Sequence, residues 1–139
     1  MKKFVFLFVS FIFIAAQADA GEAEFFNALR NCSSYSGSGY TKTDGQLLKF
    51  NNKILGWEDD KCIYKEQVNY GGIDACINCK LTRQQINELV EVMNAYEKLQ
   101  KYTKNKPDVS SLDAVKDNPV VNAWNKYLQD PNVCTLQMK

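Results

Sequence analysis

An amino-terminal export segment sets the terms on which the rest of this chain must fold. Lys2-Lys3 precedes an apolar run from Phe4 to Ala16, interrupted only by Ser10, and Ala18-Asp19-Ala20 closes it. A basic start, an apolar core of about a dozen residues and an Ala-x-Ala end have the form of a secretory signal peptide. A membrane span needs about 20 apolar residues, so the run reads as a cleaved leader (residues 1–20) rather than an anchor. Cleavage is expected near Ala20, leaving a mature chain from Gly21 in the periplasm or outside the cell, with no membrane span. The remaining 119 or so residues are expected to form one exported α+β domain, 21–139, with a single modest core. In an oxidising compartment the five cysteines read as a disulfide framework with one thiol left over.

Losing Lys2, Lys3 and Asp19 leaves fifteen basic and fifteen acidic side chains. A neutral chain has no overall electrostatic footprint for nucleic acid, and no nucleic-acid partner is expected. Arg30 and Arg83 are the two arginines, so bidentate clamps on phosphate are not the theme. Histidine is absent altogether. Ser-His-Asp and Cys-His nucleophile activation both require an imidazole, and histidine-based zinc sites require it as a ligand. No catalytic residue, metal or cofactor is therefore expected.

Phe25, Phe26, Leu29 and Cys32 recur at helical spacing behind Glu22 and Glu24, which predicts a short amphipathic helix over 22–31. Ser33 to Gly39 is rich in serine and glycine and predicts a flexible loop. Residues 46–81 predict a four-stranded antiparallel meander with turns at Asn51-Asn52, Asp59-Asp60 and Gly71-Gly72. In this register Phe50 faces Lys53, Leu55 faces Tyr64, Lys53 faces Glu66 and Tyr64 faces Cys79. One face then gathers Leu48, Phe50, Leu55, Trp57, Cys62 and Tyr64 as the core side. Thr82 and Gln85 form a capping box, and Ile86, Leu89, Val90, Met93 and Tyr96 form the stripe of a long helix packed across the sheet. A break at Lys104-Asn105-Lys106-Pro107 and a weaker helical piece around Leu112 to Lys116 follow. Asn118-Pro119 then opens a helix carrying Val120, Val121, Trp124 and Leu128, and Asp130-Pro131 ends it. Cys134, Leu136 and Met138 alternate with polar residues, as in a short extended tail. The expected architecture is thus N-terminal helix, four-stranded meander, long helix and one or two short C-terminal helices.

This register places Cys62 and Cys79 on one face as diagonal neighbours and Cys76 on the other. It favours a Cys62–Cys79 bridge; a Cys32–Cys134 bridge would then tie the first helix to the tail and close a long loop, with other connectivities open. Cys76-Ile77-Asn78-Cys79 also has the spacing of a thiol redox pair, which makes a thiol-disulfide oxidoreductase the second function class. The strand and helix context of such enzymes is missing around it. Ser36-Gly37-Ser38-Gly39-Tyr40 resembles the Ser-Gly-x-x-Tyr loop of periplasmic lysozyme inhibitors, whose serine enters the lysozyme cleft. That resemblance covers five residues and implies an inhibitor of an extracellular enzyme acting through Ser36 and Tyr40. The family is an all-β barrel, whereas this chain carries a long helix from Thr82.

Glu58, Asp59 and Asp60 read as a solvated turn, with too few oxygen ligands for calcium. Lys98, Lys101, Lys104 and Lys106 complement a helix carboxyl end. Trp57 is expected beneath the long helix. The leading function class is a non-catalytic binding or envelope-interaction module for a protein or small ligand.

Overall fold

The computed structural model describes residues 22–43, 45–103 and 118–138. The expected leader, the expected break at 104–107 and the expected helical piece at 112–116 lie outside the described residues. The fold is mixed α+β: α1 (Glu22–Asn31), β1 (Tyr35–Thr43), β2 (Gln46–Glu58), β3 (Lys61–Tyr70), β4 (Ile73–Leu81), α2 (Arg83–Thr103), α3 (Pro119–Leu128) and β5 (Cys134–Met138). The strands form one antiparallel sheet in the order β1-β2-β3-β4-β5.

Two turns hold as the sequence predicts. Gly71 and Gly72 both take positive φ (56° and 81°), which a two-residue hairpin turn of the favoured twist requires and glycine allows without steric cost. They set Tyr70 opposite Ile73, Val68 opposite Ala75 and Tyr64 opposite Cys79. Asp59, with φ 57°, joins β2 to β3 and pairs Glu58 with Lys61 and Trp57 with Cys62.

The third expected turn does not exist. Asn51-Asn52 lies inside β2, which runs unbroken from Gln46 to Glu58. A bulge at Leu55 interrupts its ladder instead: Ile54 pairs with Tyr64, Gly56 pairs with Ile63, and Leu55 is left between them. Gly56 has φ 107°, a conformation suited to a bulge and poorly suited to other residues. The extra residue shifts the phase of everything before it. Ile54 and Asn52 turn into the core, while Leu55 is exposed. The expected pairs Phe50 with Lys53, Leu55 with Tyr64 and Lys53 with Glu66 are replaced by Phe50 with Val68, Ile54 with Tyr64 and Lys53 with Lys65.

The Ser/Gly-rich segment is also not a loop. Residues 35–43 form β1, an edge strand paired with β2 along its whole length, so the sheet has five strands rather than four. The carboxyl-terminal tail completes it as β5, paired with β4.

The helices supply the apolar cover for one sheet face. Phe25, Phe26 and Leu29 of α1, Ile86, Leu89, Val90 and Met93 of α2, and Val120, Val121, Trp124 and Leu128 of α3 join Leu48, Phe50, Ile54, Tyr64, Val68 and Ile77 in one core. The Thr82 and Gln85 side chains exchange capping bonds with each other's backbone N–H (2.9 and 3.1 Å), and Asn118 Oδ1 accepts from the Val120 amide at 2.9 Å. Trp124 is fully buried against Tyr64, with ring centroids 5.5 Å apart. Trp57 is not the buried tryptophan: it is 40% exposed, and the Arg83 guanidinium stacks over its ring at 4.5 Å.

The bridges are Cys32–Cys62 and Cys79–Cys134, with Cys76 free. The expected pairs Cys62–Cys79 and Cys32–Cys134 are corrected accordingly. Cys79 lies directly opposite Cys134 once β5 joins the sheet, a closer neighbour than the diagonal Cys62. Cys62 instead meets Cys32, which ends α1 in a left-handed conformation (φ 49°). There the Ser33 amide bonds to the Ala28 carbonyl (2.9 Å) and the Cys32 amide to that of Leu29 (3.2 Å). This is a Schellman cap with cysteine at the position glycine usually occupies.

Candidate functional site

The second face of the sheet carries no helix among the described residues, and its side chains form rungs that cross the strands. One rung runs Ser38, Asn51, Gln67, Cys76 and Gln137 through all five strands in direct register. The next runs Ser36, Lys53, Lys65, Asn78 and Thr135, and on the other side come Tyr40, Lys49, Asn69 and Asp74. Two depressions of about 330 and 300 Å³ lie on this face and meet at Asn51, Gln67 and Cys76. Lys49 and Asp74 line the first; Lys53, Lys65 and Gln137 line the second.

The chemistry of this face is amide and ammonium. Asn51, Gln67, Asn69, Asn78 and Gln137 each offer a donor and an acceptor. Lys49, Lys53 and Lys65 stand against one carboxylate, Asp74, which accepts from Asn69 Nδ2 at 2.6 Å. Lys53 and Lys65 are directly opposite each other, both exposed, in a rung without an acidic residue. Like charges at directly opposed positions are destabilising by roughly 0.2–1 kcal/mol. Farther along the sheet a carboxylate does meet an ammonium group, with Glu58 directly opposite Lys61.

Beneath the same strands lies a buried polar group. Asn52 and Glu66 face each other on the core side, each 1% exposed. The Tyr64 hydroxyl donates to Glu66 Oε1. Burial pushes the Glu66 carboxyl up to about 8, against the opposing pull of that hydrogen bond, so it is largely protonated at neutral pH. Burial, and then the adjacent Glu66, raise Tyr64 well above the usual tyrosine range. The Asn52 amide is near enough to Tyr64 to oppose this rise, but among the described residues neither Asn52 Nδ2 nor Oδ1 makes a well-formed hydrogen bond, nor does Glu66 Oε2. By local pattern alone Asn52 belongs in a turn and Glu66 faces Lys53. Gly56 inside an otherwise strand-like run was the signal that could have revealed the bulge.

The structure does not bring Cys76 and Cys79 together as a thiol pair. Cys76 lies on the open face, Cys79 is fully buried on the core face, and Cys79 is bonded to Cys134. Ser36 and Tyr40 lie on the edge strand rather than in a loop, both exposed along the border of the open face. Among the described residues no group of three or more histidine, cysteine or acidic side chains could hold a metal, and no helix is long and apolar enough to cross a membrane. No family model matches the chain, and no curated protein or solved structure is significantly similar to it.

Proposed function

We propose that this is an exported, disulfide-braced binding protein that acts without catalysis and takes an anionic ligand on the open face of its sheet. The observation that carries the reading is the Lys53–Lys65 pair. The fold gains nothing from opposing two ammonium groups, and no carboxylate in the same rung relieves them. A bound anion does relieve them, and the rungs of amides around them can orient it. Export is supported by the leader-like residues 1–20, and durability outside the cell by two bridges that close long loops.

Cys76 provides a native reporter at the meeting point of the two depressions. Its alkylation rate by iodoacetamide is measured on the oxidised protein with polyphosphate, polyglutamate or polygalacturonate at low ionic strength. At least one polymer should slow the reaction, and the Lys53→Gln/Lys65→Gln protein should lose that protection. Unchanged reactivity with all three polymers at saturating concentration would overturn the reading.

A further inference from the structure

We infer that the anion is an acidic polysaccharide, laid across β2 to β5 with its carboxylates at Lys53 and Lys65 and its hydroxyls at Asn51, Gln67 and Gln137. This rests on the open face being the anion-binding surface and goes further by naming the polymer. Neighbouring strands are about 4.8 Å apart, so polar groups recur along a rung at an interval close to that of successive sugar rings. A sugar hydroxyl both donates and accepts, and a carboxamide answers both needs, whereas a bare polyanion only accepts and leaves the carboxamide oxygens unmatched. Lysine contributes a hydrated point charge suited to a carboxylate on a flexible chain.

Other polyanions fit this surface less well. Single-stranded nucleic acid is bound on aromatic stacking platforms, and the rungs through Asn51 and Lys53 contain no aromatic side chain. Both arginines are engaged elsewhere: Arg30 Nη2 donates to Asn94 Oδ1 (3.5 Å), and Arg83 donates to the Arg30 carbonyl (2.8 Å) and covers Trp57. A lipid surface is held by apolar side chains inserted among its acyl chains, and the same two rungs contain no large apolar residue.

Calorimetric titration of the oxidised protein tests this with five probes. They are polygalacturonate, polyglutamate (carboxylates without sugar), dextran (sugar without carboxylates), phosphatidylglycerol vesicles and a single-stranded oligonucleotide. Polygalacturonate should bind at least about tenfold more tightly than each of the others. Asn51→Ala/Gln67→Ala should bring it to within about threefold of polyglutamate while polyglutamate affinity holds, and Lys53→Gln/Lys65→Gln should weaken both by about tenfold or more. Equal affinity for polyglutamate and polygalacturonate would overturn the polysaccharide while leaving the anion-binding face standing. Tighter binding of vesicles or oligonucleotide would overturn it in favour of that partner. Failure to bind any of the five would overturn the polysaccharide, and the anion-binding reading falls with it if polyphosphate also leaves Cys76 reactivity unchanged.

Discussion

On the inner face of the sheet Asn52 and Glu66 stand opposite each other and are buried; one residue along, on the outer face, Lys53 and Lys65 stand opposite each other and are exposed. Both pairs follow from the single extra residue at Leu55. Without the bulge, Lys53 would face Glu66 in an ordinary cross-strand ion pair, and neither feature would exist. The inner pair is accommodated within the fold, because Glu66 holds its proton and shares a hydrogen bond with Tyr64. The outer pair is not, because nothing in its rung neutralises it. A cost that the fold absorbs says little about function, whereas a cost that the fold leaves standing points to a ligand.

The inner face should be the sensitive one to truncation. Trp124→Ala removes a fully buried ring and should cost about 3–5 kcal/mol, whereas Trp57→Ala removes a half-exposed ring stacked under Arg83 and should cost about 1 kcal/mol or less. Denaturant midpoints measured on the two variants would break the assignment if their order were reversed. Replacing Cys32 and Cys62 with serine releases the end of α1 from β3 and should cost about 2–4 kcal/mol. A non-reducing peptide map should join Cys32 to Cys62 and Cys79 to Cys134; a Cys62–Cys79 fragment would contradict the register of β5 on β4.

Glu66 sharpens the contrast through pH. Its carboxyl is raised in the folded state to about 8, above its ordinary value of 4.5, so the folded protein binds the proton that the unfolded chain releases. Its contribution is complete below about pH 4.5 and is lost as pH rises toward about 8, a decline on the order of a few kcal/mol. Glu66→Gln should flatten this part of the stability profile. An unchanged slope in that variant would mean that Glu66 is solvated or ionised in the native state. The outer face should behave oppositely and weakly: Lys65→Gln should raise stability by a few tenths of a kcal/mol at low salt, where the opposed lysines are least screened. A loss of stability would mean that Lys65 has a partner that offsets the repulsion.

Much of this fold could be read in the sequence. Gly71-Gly72 and Asp59-Asp60 fixed the strand ends, the alternation of β3 and β4 followed, and the Thr82 and Asn118 caps located two helices. The parts that escaped depend on partners distant along the chain. Tyr35 to Thr43 has the composition of a loop and becomes a strand because β2 offers it a full edge. Asn51-Asn52 resembles a turn, yet Asn52 is drawn into the core opposite Glu66 once the bulge shifts the register. The bridges Cys32–Cys62 and Cys79–Cys134 are hidden for the same reason, since neither the approach of α1 to β3 nor the addition of β5 shows in local pattern. The candidate site was the least legible of all. In a chain whose net charge is only +1, its signal is the clustering of three lysines on alternate positions of β2 and β3, visible only in the correct register.

Amide chemical-shift mapping during a polygalacturonate titration shows whether the outer face is where this protein meets its ligand. The shifts should concentrate on Asn51, Lys53, Lys65, Gln67, Cys76 and Asn78 and leave α2 and α3 unmoved, with Lys53→Gln/Lys65→Gln abolishing them. Shifts confined to the helices, or to the groove where Tyr127 donates to Glu88, would contradict the claim.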